Sequence, residues 1–305
     1  MTELGTYSLA AGTFLLLAGF AYAAWADARE REVTDLLWQV LGVAGFVIGL
    51  VAVAPGGLIP MVAWAVVGVF VIQHLFPWDT RLGNAERYAD LIELAVYMAA
   101  VAFILILAIH VGVGASGVPF SVVAVLVTVL FARGLFEAGI LFGGADAKAL
   151  MIVGILVPLF PNPLIAQPPT IAPLTDILPF AVNVLMDSAL FAVVVPIVIA
   201  ARNIRAGEFR GFAGFVGYSI PSAELPKKFV WVRDPTFGDA REEERAIETS
   251  DDDRKRREEI AADLKSRGIA RIWVTPQIPF LVVMAFGVIG ALLAGNVLFD
   301  LLFRL

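Results

Sequence analysis

Apolar blocks of 14 to 24 residues, with few charges inside them, set the first constraint on this 305-residue chain. About 20 such residues cross a bilayer as a helix. Inside lipid the backbone must satisfy its own polar groups, which leaves a helix as the solution for blocks of this length. Composition agrees: 59% of residues are hydrophobic and 16% charged, against about 45–50% and about 25% in soluble domains. A water-soluble globule is excluded. Eight segments are predicted to be apolar helices: 8–25, 35–54, 60–77, 91–111, 120–140, 147–160, 178–201 and 278–300. The expected fold is an all-α, polytopic transmembrane helical bundle of about eight spans with a small cytoplasmic segment. The first block lacks the N-terminal positive charge of a cleavable secretory signal and is kept as a span.

Lysine and arginine fix an expected orientation, because positively charged loops stay in the cytoplasm. With the N-terminus outside, the inner stretches are 26–34, 78–90, 141–146 and 202–277. Arg29, Arg31, Arg81 and Arg87 fall in the first two, and fifteen more cations fall in the last. Arg133 and Lys148 flank the third, so only Arg304 of the 22 is misplaced. Glycine and proline punctuate the outer turns at Pro55-Gly56-Gly57, at Gly112 to Pro119, and in the loop carrying Pro161, Pro163, Pro168, Pro169 and Pro173.

Residue types that are scarce exclude several chemistries. There is no cysteine, so thiol nucleophiles, disulfides and thiolate zinc sites are impossible. His74 and His110 are the only histidines, too few for a His-rich metal centre. A net charge of −6 gives no reason to expect a nucleic-acid partner. The stretch 202–277 carries an acidic and basic run from Asp239 to Lys265 that reads as a solvated helix or a disordered cytosolic segment, and nothing in the sequence favours the sharper reading of a docking site for a basic partner. No internal repeat is visible.

Acids within or beside a membrane are expensive and point to function. Asp27, Glu93, Glu137, Asp146, Asp187 and Asp300 are the candidates. Asp27 lies at the inner end of the first span, and Asp146 lies where the fifth segment turns into the sixth, so both are placed at the same membrane border. Asp146 follows Gly143 and Gly144, which let the backbone bend closely, and opens a helix whose positive end favours a carboxylate. That helix has only 14 residues before Pro161, about 21 Å against roughly 30 Å of hydrocarbon, which sets Asp146 below the surface. Two nearby carboxylates share a proton because both cannot ionise cheaply. One then takes a proton from a water while the other donates to a carbonyl oxygen, the chemistry of aspartic proteolysis. The plainer reading is that Asp146 caps a helix and Asp27 pairs with Arg29 or Arg31. Lys148 either neutralises Asp146 or marks the inner face.

Three stretches sharpen this. Asp27-Ala28-Arg29-Glu30-Arg31-Glu32-Val33-Thr34-Asp35-Leu36-Leu37-Trp38 resembles the first catalytic motif of the archaeal preflagellin and prepilin peptidases, which are similar to bacterial type IV prepilin peptidases and to the GxGD aspartyl proteases. Gly143-Gly144-Ala145-Asp146-Ala147-Lys148 resembles their second motif, with Ala145 where a strict motif has glycine. Ile272-Trp273-Val274-Thr275-Pro276-Gln277-Ile278-Pro279 resembles the approach to their last helix. The resemblance implies a six-helix core with an inserted pair of spans at 60–111, a protease core over 1–201, the charged segment 202–277 and a last helix in 278–305. It implies Asp27 and Asp146 as the catalytic pair, supported by Gly143, Gly144, Lys148 and Arg31. The implied activity is removal of the short basic leader from archaellin or type IV pilin-like precursors at the cytoplasmic face of the cell membrane, with no cofactor. Without cysteine, the four-cysteine zinc site and the methyltransferase activity of bacterial relatives are not expected.

Three alternatives compete. Gly114-Ala115-Ser116-Gly117 matches the motif of rhomboid serine proteases, but no histidine is placed to activate Ser116, and a glycine-rich outer turn explains it. A proton- or cation-coupled transporter could use Asp27, Asp146 and Asp187 as relay groups. A membrane scaffold displaying 202–277 would need neither aspartate. Glu137 is expected to pair with Arg133 four residues earlier, and Asp187, beside Asn183, to face the bundle interior.

Overall fold

The structure is a computed structural model that describes residues 3–76, 86–114, 117–141, 143–161, 178–232 and 250–304. Arg81, the prolines of 162–177 and the start of the acidic run at 239–249 lie outside these residues, as do the side chains of Arg87, Glu93 and Asp300. The bundle contains α1 (Glu3–Glu30), α2 (Asp35–Val53), α3 (Leu58–Leu75), α4 (Glu86–Val111), α5 (Phe120–Glu137) and α6 (Gly144–Leu156). It continues with α7 (Phe180–Ala192), α8 (Val194–Arg205), α11 (Phe280–Ala294) and α12 (Val297–Arg304). Between α8 and α11 come α9 (Ala213–Val216), β1 (Tyr218–Pro221), β2 (Val230–Val232), α10 (Ser250–Ser266) and β3 (Arg271–Pro276). Six described segments are long and apolar enough to cross a membrane: α1 to α5 and the joined α7–α8. The chain is a multi-pass membrane protein.

Two of the eight expected spans are shorter than a bilayer. The helix expected at 147–160 is α6, 13 residues long, or about 20 Å. It lies at the centre of the bundle, against α1, α2, α3, α5, α7 and α11. From Ala149 to Leu156 every residue is buried. Neighbours approach it through small residues, as membrane helices do. A Cβ on Gly12 of α1 would sit 2.3 Å from the Leu156 carbonyl, and one on Gly45 of α2 would sit 2.9 Å from Ile155. The segment expected as one span at 278–300 is corrected to two helices. Gly295, with φ of 73°, ends α11, and Asn296 separates it from α12.

Buried polar groups fasten that break. Asp187 and Asn183 are 0% exposed, as expected of interior-facing groups. Asp187 Oδ1 accepts the Val297 amide at 2.9 Å, and Asn296 Nδ2 donates to Asn183 Oδ1 at 2.9 Å. The 178–201 segment is likewise interrupted at Val193. Pro196 has no N–H to offer the Ala192 carbonyl, so the helical ladder breaks one turn before it. The expected inserted pair corresponds to α3, which is well buried, and α4, which packs on α3 through Phe70, His74 and Tyr97.

Within 202–277 the described part of the charged run is the helix α10, and the residues around it fold as a small sheet unit that the sequence reading did not anticipate. A three-stranded antiparallel sheet in the order β1-β3-β2 pairs Ile220 with Ile272 and Val232 with Val274. Ile260 and Leu264 of α10 close a separate apolar core with Ile220, Leu225, Val230, Ile272 and Val274. This unit sits on the end of α8. The Arg202 guanidinium lies 3.8 Å from the Tyr218 ring centroid, and buried Asn203 donates to the Gly214 and Gly217 carbonyls at 2.8 and 2.7 Å. Asn203→Ala leaves two buried carbonyls unsatisfied, at about 1–3 kcal/mol each. Limited proteolysis of the variant in detergent is expected to cut faster between 205 and 232 while the bundle helices stay resistant; an unchanged digestion pattern would contradict this docking.

Candidate functional site

Four helix ends meet at one end of the bundle. α1 closes there on Arg31, whose φ of 58° is the only positive value among described non-glycine residues. A left-handed residue costs about 1–2 kcal/mol but turns the chain sharply. The Arg31 amide donates to the Asp27 carbonyl at 3.2 Å, and its Nη1 reaches the same oxygen at 3.3 Å. The guanidinium then lies over the Phe229 ring, 5.2 Å from its centroid. Asp27 sits one turn before this closure and is half-buried.

The Asp27 carboxylate is aimed by another helix. Its Oδ2 accepts the amide of Leu281 at 3.0 Å. Leu281 is the second residue of α11, after Pro279 at the cap. Amides at a helix start have no intrahelical acceptor, and the helix dipole adds a favourable field for a carboxylate.

Asp146 is held in a similar way by its own helix. Gly143 caps α6 in an extended conformation, φ −95° and ψ 132°. Asp146, three residues on, folds back so that its carboxylate accepts the Gly143 amide. This is the return half of a capping box. A Cβ on Gly143 would come within 3.0 Å of Asp146 Oδ2, whereas one on Gly144 would meet nothing. The structure brings Asp27 and Asp146 together closely enough for the charge of the first to act on the second.

Lys148 has an acidic partner other than Asp146. Its Nζ lies 2.5 Å from Oδ1 of Asp35, the first residue of α2. The pair ties the start of α6 to the start of α2 beside Asp146. Elsewhere Glu137 pairs with Arg133 at 2.6 Å, as expected. His110 Nδ1 lies 2.8 Å from the Ile106 carbonyl, His74 contacts Tyr97, and Ser116 is outside the described residues. Among the described residues no three His, Asp or Glu side chains gather as a metal would require.

Sequence reasoning missed two members of this constellation. Asp35 stood within the first motif without a role. The Leu281 amide is invisible as a side chain, and its only signal was the Pro276–Pro279 approach to α11.

Comparison with known proteins bears on this arrangement. Residues 211–297 match the family described as archaeal peptidase A24 C-terminus, type II. The chain is also 29% identical over 178 residues to the preflagellin peptidase of Methanococcus maripaludis, covering 55% of this chain and 69% of that protein. The chain is thus similar to archaeal preflagellin and prepilin peptidases. No solved structure matches it. The family match contains neither aspartate of this peptidase-like chain. It does contain β3, the turn after it and Leu281, the groups that aim Asp27.

The Lys148–Asp35 pair has partly exposed side chains, 23% and 47%, so its worth is small. A double-mutant cycle with Lys148→Ala and Asp35→Ala, read by thermal unfolding in detergent, is expected to give a coupling of about 0.5 kcal/mol that shrinks with added salt. A coupling of zero at low salt would remove the tie.

Proposed function

We propose that this chain is a membrane-embedded aspartic endopeptidase that removes the short basic leader from archaellin or type IV pilin-like precursors. The observation that carries the reading is the meeting of Asp27 and Asp146 at one end of the bundle, each carboxylate aimed by a backbone amide at a helix start. The preflagellin peptidase named above supports the substrate class. The distribution of lysine and arginine supports a cytoplasmic position for this end, with the N-terminus outside.

In this reading a water lies between the two carboxyl groups. The ionised one takes a proton from the water as its oxygen attacks the scissile carbonyl carbon. The protonated one donates to the carbonyl oxygen, giving a neutral tetrahedral diol. Collapse of the diol breaks the C–N bond, and the proton taken from the water passes to the leaving amine. The precursor's hydrophobic helix enters sideways from the lipid, which sets the bond at its N-terminal border beside the two aspartates.

The test is cleavage of a tagged prearchaellin co-expressed in membranes. Asp27→Asn and Asp146→Asn are each expected to lower cleavage by about 10²–10⁴-fold with protein levels unchanged. Retained cleavage in either variant would remove that residue from the mechanism. If the wild type cuts no precursor and the same variants abolish proton flux instead, the transporter reading replaces this one.

Glycine substitutions test the geometry separately. Gly143→Ala pushes on the Asp146 carboxylate and is expected to cost about ten- to a hundredfold in rate. Gly144→Ala adds its methyl group to open space and is expected to cost far less. Equal losses in the two variants would contradict the proposed seating of Asp146.

A further inference from the structure

The chain leaves α8 through a loop, 207–217, whose shape is fixed by its own backbone. The Glu208 and Gly207 amides donate to the Asn203 and Ile204 carbonyls at 2.9 and 3.1 Å, and Gly207 takes a φ of 68°. This is a Schellman closure of the helix. Gly211, with φ of 54°, turns the chain again, and the Gly214 amide returns to its carbonyl at 3.0 Å. Buried Asn203 then holds the Gly214 and Gly217 carbonyls.

The loop sorts its side chains by polarity. The charged ones turn toward β3: Glu208 pairs with Arg271 at 3.2 Å, and the Arg210 guanidinium lies 4.8 Å from the Trp273 ring centroid. The three phenylalanines stay open. Phe209 and Phe215 are each 40% exposed and stack edge to face with centroids 5.5 Å apart, and Phe212 is 82% exposed. An exposed apolar cluster of fixed shape marks an interaction site.

The neighbouring surface says what meets it. Val194, Ile197, Val198, Ala201 and Ile204 form the exposed face of α8, while Ile199, Ala200 and Asn203 form the buried one. α8 is the second half of a segment that can cross a membrane, so its apolar outer face meets lipid. That face ends at Ile204, Arg205 follows at the helix end, and the phenylalanines take over from there. Aromatic rings beside a basic helix end suit the boundary between headgroups and acyl chains.

We propose that the 207–217 loop inserts Phe209, Phe212 and Phe215 into the lipid boundary where α8 ends, and so seats the sheet unit on the bilayer. β1, an edge strand of the sheet, begins at the next residue, so the anchor sets the height of that edge at the membrane surface. The inference rests on the membrane-spanning bundle and not on the peptidase reading.

The chain has no cysteine, so a single one can be introduced and spin-labelled. The full chain is placed in lipid nanodiscs, one copy per disc, as three separate variants. Phe212→Cys probes the loop, and Ile197→Cys marks the lipid-facing side of α8. Ala262→Cys marks the exposed side of α10, turned away from Ile260 and Leu264. All three side chains are exposed, so the variants are expected to unfold at the wild-type temperature. Electron paramagnetic resonance compares collisions of each label with oxygen, which concentrates in lipid, and with a water-soluble nickel chelate. The oxygen-to-nickel collision ratio at 212 is expected to approach that at 197 and to exceed that at 262 several-fold. A ratio at 212 no higher than at 262 would place the loop in water and overturn the proposal. So would a label at 212 that meets neither reagent, which would place the loop against protein.

Discussion

The burial of α6 is the constraint on which the rest of the bundle depends. Thirteen residues cannot cross the hydrocarbon layer, so this helix is not a lipid-facing span. It is enclosed by six others, and enclosure requires close approach. Gly12 and Gly45 let α1 and α2 reach its far end, and Gly154 lets Thr128 of α5 reach its side, where an added Cβ would lie 2.7 Å from Thr128 Cγ2. With no hydrophobic drive between helices in lipid, such packing is the main cohesive force. One consequence is chemical. A short helix packed by its far end leaves its start recessed, and Asp146 stands in that start.

Both aspartates are oriented by backbone rather than by side chains. The Gly143 amide holds Asp146, and the Leu281 amide holds Asp27. Helix starts offer such amides without cost, since they have no partner within the helix. A salt bridge to lysine or arginine would instead bind each acid to a countercharge and blunt its acid–base use. The cations nearby hydrogen-bond other groups: Lys148 binds Asp35, and Arg31 binds the Asp27 backbone and lies over the Phe229 ring, close enough for its charge still to act on the Asp27 carboxylate.

Much of this was legible in the residues. The apolar blocks foretold the helices, and the short block before Pro161 foretold a recessed helix start at Asp146. The parity of the intervening segments foretold that Asp27 and Asp146 share one end. What escaped was non-local. β1 pairs with β3 across some fifty residues, and neither strand is long enough to show alternation against the charged sequence between them. Arg257, Ile260 and Leu264 lie on one face of α10, yet they stand in a run whose charge suggested full solvation. The break at Gly295 and Asn296 was hidden because the surrounding residues are uniformly apolar and no periodicity marks a boundary.

The sheet unit gains its meaning from where it delivers the chain. β3 runs directly through Pro276 and Pro279 into α11, and the Gln277 amide donates to the Phe229 carbonyl at 3.0 Å, fastening that turn to the residue between Arg31 and Arg257. Leu281 itself lies in the core of the bundle with Met284 and Val288. The turn after β3 therefore fastens the sheet unit to the helix whose first amides receive the Asp27 carboxylate, while Asp146 is held within α6 by Gly143.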